Sequence, residues 1–242
     1  MDLSIVIPAR NEQGNIQPLV AEIRQAIPAG YRYEIIYVDD GSTDNTASEI
    51  LAEQKQTDVP VKLVRHVSSA GQSTALYSGV LQASGRWIVS MDADGQNDPA
   101  DIPSMLERAA TQTCPHFCIA GYRHHRKDTF SKRLQSRIAN GIRQRMLRDQ
   151  VPDTGCGIKL LPRNTFMLLP FFDHMHRFIP ALVRRIGGRI LVVPVNHRDR
   201  THGTSKYTLF SRLGVGIVDM LGVMWLQRRC PQPDVMTHAN EN

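Results

Sequence analysis

The stretch Trp87-Ile88-Val89-Ser90-Met91-Asp92-Ala93-Asp94 decides the fold: a short, mostly apolar run, suited to a buried strand, ends in two carboxylates one residue apart. In an open α/β sheet the ligand sits at the carboxyl ends of the strands, which is where these acids fall. Alternation along a strand sends Asp92 and Asp94 to the same side. There one hard divalent cation could share them and be bridged to substrate phosphates. Short acidic pairs also form ordinary turns and helix caps, so the meaning of the pair depends on its surroundings.

Working outward, residues 3–7, 33–38 and 61–64 are further short β-rich runs, separated by segments with helical spacing such as Ile16, Leu19, Val20, Ile23 and Ile27. Strand alternating with helix predicts an α/β fold, a mostly parallel sheet covered on both faces. The turns after the runs are polar: Pro8-Ala9-Arg10-Asn11-Glu12 follows the first, Asp39-Asp40-Gly41-Ser42-Thr43-Asp44 the second, and Asp92-Ala93-Asp94-Gly95-Gln96 the fourth. Three loops are therefore predicted to converge on one edge. The segment 40–44 reads locally as a turn entering a helix N-cap, which leaves Asp39 and Asp40 at the strand end unaccounted for.

The 242 residues fit one domain with at most an appendage, and 41% hydrophobic with 21% charged residues is ordinary for a folded globular chain. The first residues lack the pattern of a signal peptide, and the four cysteines show no zinc or paired-disulfide spacing. A reducing cytoplasm is the expected compartment. No uninterrupted apolar stretch reaches the length of a membrane span, so any membrane contact is expected to be peripheral. The net charge of +6 is divided unevenly: residues 1–110 carry 8 Lys and Arg against 15 Asp and Glu, residues 111–242 carry 21 against 8. An acidic half to hold a metal and a basic half to meet an anion fit this split.

In the basic half, residues 117–120 and 189–195 read as strands and residues 131–148 as a basic helix with Leu134, Ile138, Ile142 and Met146 on one side. From Arg123 to Arg148 there are nine Lys and Arg and one acid. A polar loop, 196–206, precedes an amphipathic segment with Leu209, Phe210, Leu213, Ile217, Met220, Leu221 and Met224 on one stripe and Arg228-Arg229 at its end.

Taken together, Ile7-Pro8-Ala9-Arg10-Asn11-Glu12, Val38-Asp39-Asp40-Gly41-Ser42-Thr43-Asp44 and Met91-Asp92-Ala93-Asp94-Gly95-Gln96 resemble, in order and spacing, the three nucleotide- and metal-site motifs of the family 2 glycosyltransferases. Those enzymes have the GT-A fold, a Rossmann-like, mostly parallel mixed sheet flanked by helices. Gly121-Tyr122-Arg123, Asp153-Thr154-Gly155-Cys156-Gly157-Ile158-Lys159 and His197-Arg198-Asp199-Arg200 leading to Gly203-Thr204-Ser205-Lys206-Tyr207 are similar to the polyprenyl-phosphate subgroup, of the dolichol-phosphate mannose synthase type. The resemblance implies a glycosyltransferase domain over residues 3–207; the amphipathic segment over 208–242 is expected, from its position just after the lipid-phosphate loop, to face a membrane, with a place in the core as the alternative. It implies that Pro8, Ala9, Arg10, Glu12, Asp39, Asp40, Asp92 and Ala93 line a nucleotide pocket. It further implies that Asp92, Asp94 and Gln96 hold Mg²⁺ or Mn²⁺, and that Arg123, Arg133, Arg137, Arg200 and Lys206 clamp phosphates. Two departures stand out: Gly95 replaces a common Leu, and the paired transmembrane helices of many bacterial relatives are not seen.

A sugar leaving a nucleoside diphosphate needs the diphosphate neutralised, and a carboxylate-held cation does this as a Lewis acid. A hydroxyl acceptor also needs a carboxylate base, which the resemblance places as an acidic pair near 153–157, where none is seen. A phosphate acceptor is already anionic and needs cations instead, which the arginines supply. The expected reaction is inverting transfer of a single sugar from a nucleotide-diphosphate sugar to undecaprenyl or dolichyl phosphate. It is expected at the cytoplasmic face of a membrane, reached by direct peripheral contact or through a membrane-anchored partner subunit. The processive synthases' Gln-x-x-Arg-Trp pattern fails at Trp225-Leu226-Gln227-Arg228-Arg229. The alternatives are a hydroxyl acceptor of a cell-envelope glycan, or a basic nucleic-acid-binding protein in which Asp92 and Asp94 would be idle; no nucleic-acid partner is expected. His174-Met175-His176 and Cys114 with Cys118 lack complementary ligands at zinc spacing and read as structural.

Overall fold

The computed structural model describes residues 1–123, 141, 143–147, 149, 151–198 and 209–229, the side chains of 209–215 excepted. The described strands are β1 (Leu3–Ala9), β2 (Tyr33–Asp40), β3 (Val61–His66), β4 (Trp87–Ser90), β5 (Phe117–Arg123), β6 (Lys159–Pro162) and β7 (Arg189–Val195). They form one sheet in the order β3-β2-β1-β4-β6-β5-β7. Strands β1 to β4 are mutually parallel, β6 runs antiparallel to both its neighbours, and β5 pairs with β7 in parallel. The predicted α/β architecture, mostly parallel but mixed, is the one observed.

The inner strands read as near-continuous apolar runs because both faces are covered; Ile5, Val6, Ile7, Ile35, Ile36, Tyr37 and Val38 are all fully buried. On one face lies α1 (Ile16–Ala26), which turns Ile16, Leu19, Val20 and Ile23 inward, as their spacing predicts. Beside it on that face are α2 (Thr46–Gln56) and α4 (Ile102–Ala110), the latter burying Ile102, Met105, Leu106 and Ala109. The other face is covered by α3 (Gln72–Leu81), α5 (Arg163–Met167), α6 (Ile179–Arg185) and part of α7 (Leu209–Arg228).

The chain runs from β1 outward to β2 and β3, then returns to place β4 on the other side of β1. The order reverses between β1 and β4, and crevices open at such switch points. The loops after β1, β2 and β4 all leave from this edge.

Three sequence expectations change. β2 extends through Asp39 and Asp40, so these acids belong to the strand and not to the turn. β4 ends at Ser90, so Asp92 and Asp94 lie in a turn beyond it, and strand alternation is not what aims them. The stripe on α7 also runs differently. Met220 and Met224 pack against the core, while Ile217, Val218, Leu221 and Trp225 are the large apolar side chains left exposed among those described on this helix. No helix among the described residues is long and apolar enough to cross a membrane.

Candidate active site

The first two loops are stitched together through polar side chains. The Asn11 amide donates to Ser42 Oγ at 3.0 Å, the Glu12 amide to Thr46 Oγ1 at 2.8 Å, and the Thr43 amide to Asn11 Oδ1 at 2.8 Å. Asn11 takes a left-handed conformation, φ 54°, which asparagine tolerates. Pro8 and Ala9 close β1, Arg10 is exposed beyond them, and Glu12 accepts from Asn15 Nδ2 at 2.8 Å.

Asp39 and Asp40 are both buried but are held differently. Asp40 Oδ1 accepts from the Ala70 amide at 2.7 Å and lies 2.8 Å from His66 Nδ1; Oδ2 accepts from Ser69 Oγ at 2.8 Å and the Gly71 amide at 3.0 Å. Burial pushes its pKa up, but these bonds outweigh that and hold it below the usual value. Asp40 thus pins the loop before α3. Gly41 makes this approach feasible: at φ 67°, a Cβ there would lie 2.7 Å from the Ser69 nitrogen. Asp39 accepts from the Ser42 amide through Oδ1 at 2.9 Å. Arg65 Nε lies 3.2 Å from Oδ2 as an ion pair, out of line for a hydrogen bond, so Oδ2 is a buried acceptor without one.

In the turn after β4, Asn97 Oδ1 takes the Asp92 amide at 2.8 Å and Asp94 Oδ1 takes the Gln96 amide at 3.1 Å. Asp92 Oδ1 accepts from Gln72 Nε2 at 2.8 Å, a donor at the first turn of α3. Its other oxygen lies against Gly157, where a Cβ would come within 2.1 Å of Oδ2. Burial, then the neighbouring charge of Asp94, pushes the Asp92 pKa up to about 6, against the pull of Lys159, Arg123 and Gln72. The backbone of Ala93 is part of the same turn. The segment after β7 joins here: Asn97 bridges to His197, the Arg198 amide donates to Gln96 oxygen at 3.1 Å, and Arg198 Nη2 to Asp98 Oδ1 at 2.6 Å.

Opposite, Arg123 at the end of β5 grips Asp153 with two hydrogen bonds, Nε to Oδ2 at 2.5 Å and Nη2 to Oδ1 at 2.8 Å. A carboxylate held by a two-pronged guanidinium is a poor proton acceptor. Lys159, at the start of β6 beside Ser90, is buried and donates to the Cys156 carbonyl, while Ser90 Oγ donates to the Gly157 carbonyl at 2.9 Å. These two bonds set the glycine that backs Asp92.

Arg133, Arg137, Arg200 and Lys206 lie outside the described residues. The structure therefore brings together the β1, β2 and β4 loops with Arg123. Gln72, Asn97, Gly157 and Lys159 join them without having been assigned roles from the sequence. A lysine at an inward position of an apolar run, Lys159-Leu160-Leu161-Pro162, is the one signal that could have found a member of this set. His176, whose Nδ1 lies 2.8 Å from Ser73 Oγ, has its pKa pushed down to about 3 by burial first and then by Lys159, Arg177 and His174. It stays neutral and packs as a structural histidine.

Among the described residues no three His, Cys, Asp or Glu side chains cluster as a metal cage. The donors on the β4 turn are two carboxylates and the Gln96 amide oxygen. That hard, incomplete oxygen set fits Mg²⁺ or Mn²⁺ whose remaining positions come from substrate.

The model of the glycosyl transferase family 2 domain matches residues 4–168. The chain is 35% identical over 237 residues to a dodecaprenyl-phosphate galacturonate synthase of Rhizobium johnstonii, covering 96% of this chain and 69% of that protein. It is 34% identical over 218 residues to an undecaprenyl-phosphate 4-deoxy-4-formamido-L-arabinose transferase of Edwardsiella ictaluri, covering 88% and 65%. The chain thus spans about two thirds of the length of these curated relatives. Among solved structures, glucosyl-3-phosphoglycerate synthase from Mycobacterium tuberculosis, in complex with Mn²⁺, uridine diphosphate and glucosyl-3-phosphoglycerate, superposes with a TM-score of 0.67 at 18% identity. That match covers 96% of this chain and 81% of that one, a likeness of GT-A fold.

Proposed function

The chain belongs to glycosyl transferase family 2, and from that premise we propose that it transfers a single sugar, with inversion, from a nucleotide-diphosphate sugar to a polyprenyl phosphate. The observation that carries the choice of acceptor is the Arg123–Asp153 pair. The carboxylate nearest the place where hydroxyl-acceptor enzymes keep a base is held by a guanidinium at 2.5 and 2.8 Å. A phosphate oxygen attacks the anomeric carbon without giving up a proton, so an occupied carboxylate is no handicap. The likeness to polyprenyl-phosphate transferases across nearly the whole chain supports the same reading.

In this reading the base of the donor enters between the β1 and β2 loops, where Asp39 Oδ2 accepts a ring N–H. Uracil N3 and guanine N1 offer one, whereas cytosine N3 and adenine N1 present lone pairs. Pro8, Ala9, Arg10 and Glu12 line that pocket, and Asp40 keeps its wall in place. Asp92, Asp94 and Gln96 hold Mg²⁺ or Mn²⁺, which when bound neutralises the leaving diphosphate as a Lewis acid. Lys159 and Gly157 fix the Asp92 carboxylate. Arg123, Arg133, Arg137, Arg200 and Lys206 receive the acceptor phosphate, at a membrane surface on its cytoplasmic side.

The test is a panel of radiolabelled uridine- and guanosine-diphosphate sugars offered with detergent-solubilised undecaprenyl phosphate, undecaprenol or buffer. Label is expected in an acid-labile lipid only with the phosphate. Equal transfer to undecaprenol would move the protein to the hydroxyl-acceptor branch of the family, and no transfer to either lipid would end the polyprenyl-phosphate reading.

A further inference from the structure

The sheet has a second open end. At the edge opposite the Asp92 turn, a cavity of about 870 Å³ lies among the start of β4, the end of β6 and the segment joining α4 to β5. Arg86, Arg163 and His116 are among the described residues that line it, and no Asp or Glu is. Trp87 lies opposite Pro162 in the antiparallel β4–β6 pair, and the Arg163 amide donates to the Arg86 carbonyl at 2.9 Å, so the two arginines occupy facing positions at the end of the ladder. Like charges placed so destabilise a strand pair. Around the cavity the fold answers such charge with its own partners: Asp2, next in chain to Met1, pairs with Arg32, and Glu34, bonded to Ser84, pairs with Lys62. Arg86 and Arg163 have no carboxylate partner among the described residues. The Arg86 guanidinium sits over the Trp87 ring, 5.3 Å from its centroid, and Arg163 donates from Nε to the Val80 carbonyl at 3.3 Å, which leaves its two Nη groups without a partner among the described residues. The rest of the wall is polar and neutral. Gln112 spends its Nε2 on the Arg108 carbonyl at 2.9 Å and keeps Oε1. Thr165 Oγ1 lies 3.1 Å from His116 Nδ1 and donates to the Pro115 carbonyl at 3.4 Å, so the imidazole donates from Nδ1 and keeps Nε2 as an acceptor.

We propose that this cavity binds a small phosphorylated polyol of sugar-phosphate size, its phosphate shared between Arg86 and Arg163 and its hydroxyls donating to Gln112 and His116. Guanidinium forks match phosphate oxygens in pairs, and a dianion between two of them turns their repulsion into attraction. A bare phosphate would leave most of the volume empty, whereas cavities of this size hold whole small molecules. The site is separate from the donor pocket. The β4–β6 ladder runs from Trp87 and Pro162 here to Ser90 and Lys159 beside Asp92, about 10 Å along the strands. A ligand in the cavity ties together the far ends of the two strands whose near ends set Asp92 and Gly157. The inference goes beyond the proposed function and needs neither its donor nor its acceptor.

The experiment is titration calorimetry of the full chain with glucose 6-phosphate, inorganic phosphate or glucose, in chelator at moderate salt. Glucose 6-phosphate is expected to saturate one site about tenfold more tightly than inorganic phosphate, and glucose not to bind. Arg86→Gln and Arg163→Gln are each expected to weaken binding about tenfold, the scale of one charge-assisted pair. Asn164→Asp, which brings an acid to the cavity wall, is expected to weaken it as much. Arg86 and Asn164 are exposed, so their variants should melt with the parent when no ligand is present. In a Trp225→Phe background, which leaves Trp87 as the one tryptophan, the titration should change the emission as Arg86 is drawn from the ring. Saturating uridine diphosphate with Mn²⁺ should leave the binding untouched, and a chain inactive in transfer should bind all the same, so this reading and the enzymatic one fail separately. Absence of saturable binding, competition by uridine diphosphate, or indifference to the arginine changes would each overturn the proposal. Inorganic phosphate binding as tightly as the sugar phosphate would overturn it in favour of a bare anion site.

Discussion

Glu34 and Asp92 are acids of the same sheet at opposite ends, and their surroundings differ in kind. Glu34, near the start of β2, accepts from Ser4 Oγ at 2.6 Å and from the Ser84 amide and hydroxyl at 2.7 Å, and it pairs with Lys62 Nζ at 2.7 Å. Burial would push its pKa up, but Lys62 and the two serines overcome that and hold it at about 2. Asp92, beyond the end of β4, has among the described residues one side-chain donor, Gln72, and a second carboxylate beside it, and is pushed up to about 6. Acids satisfied from within the fold stabilise it, while an acid left short of partners is poised for something that arrives from outside. Perturbed groups of the second kind cluster at functional sites.

The contrast breaks if Asp92→Asn is harmless. It is expected to lower transfer about a thousandfold, the scale on which a single stabilising group of the transition state acts, while leaving the fold intact. Its effect on stability should have the opposite sign. An acid whose folded pKa is raised destabilises the fold when ionised: no cost below about pH 4, a growing cost up to about 6, and the full cost above. Metal-free Asp92→Asn should therefore melt higher than the parent at pH 8 and equal to it near pH 4, with Mn²⁺ closing the gap by stabilising only the parent. Calorimetric scans at both pH values, with and without chelator, check this.

Gly157→Ala is expected to come next, at about a hundredfold in rate. Its Cβ would lie 2.1 Å from Asp92 Oδ2 and 2.9 Å from Asn97 Oδ1, so the carboxylate must swing out of place. Overpacking of this kind costs about 1–3 kcal/mol. A variant that loses stability but keeps full turnover in steady-state assays would show that the orientation of Asp92 is not what the glycine protects.

At the other pole, Glu34→Gln should leave kcat unchanged and cost about 1–3 kcal/mol, seen as a fall of several degrees in Tm at pH 7. Because the folded pKa is depressed, the stabilisation is fully present above about pH 4.5 and is lost as pH falls toward 2. The difference from the parent should be flat from pH 8 to 5 and shrink below that. A difference that persists unchanged at pH 2.5 would mean that packing, and not the charge, is what Glu34 contributes.

How legible each pole was from the sequence follows from its physics. The β1, β2 and β4 runs announce themselves because strands buried on both faces are continuous apolar strings, and the acids after them stand out against that background. Glu34 did not stand out, since its partners Ser4, Lys62 and Ser84 are scattered residues that only the register of three strands brings together. The same holds inside the site: Gln72 and Gly157 come from α3 and the segment before β6, and their distance from Asp92 is set by packing alone. Asp39 and Asp40 are equivalent as neighbours in sequence, but alternation along β2 turns one toward Ser42 and Arg65 and the other into the loop before α3. The α7 stripe departs from its apolar pattern for a related reason. Met220 and Met224 are as apolar as Ile217 and Leu221, and only the position of α6 decides which of them is covered.

The smallest effect belongs to Gln72, whose single bond to Asp92 is exposed. Removing it in Gln72→Ala leaves the carboxylate backed by Gly157 but without its side-chain donor among the described residues. A neutral donor shared with solvent contributes about 1 kcal/mol, so turnover should fall a fewfold and no more. The informative readout is the acid limb of the pH–rate profile. Gln72 is one of the groups that lowers the Asp92 pKa, so its loss should move that limb to higher pH while the plateau rate above pH 8 recovers most of the parent's value. A purely structural role for Gln72 at the first turn of α3 would lower the plateau and leave the limb where it was, and that outcome would detach α3 from the electrostatics of the β4 turn.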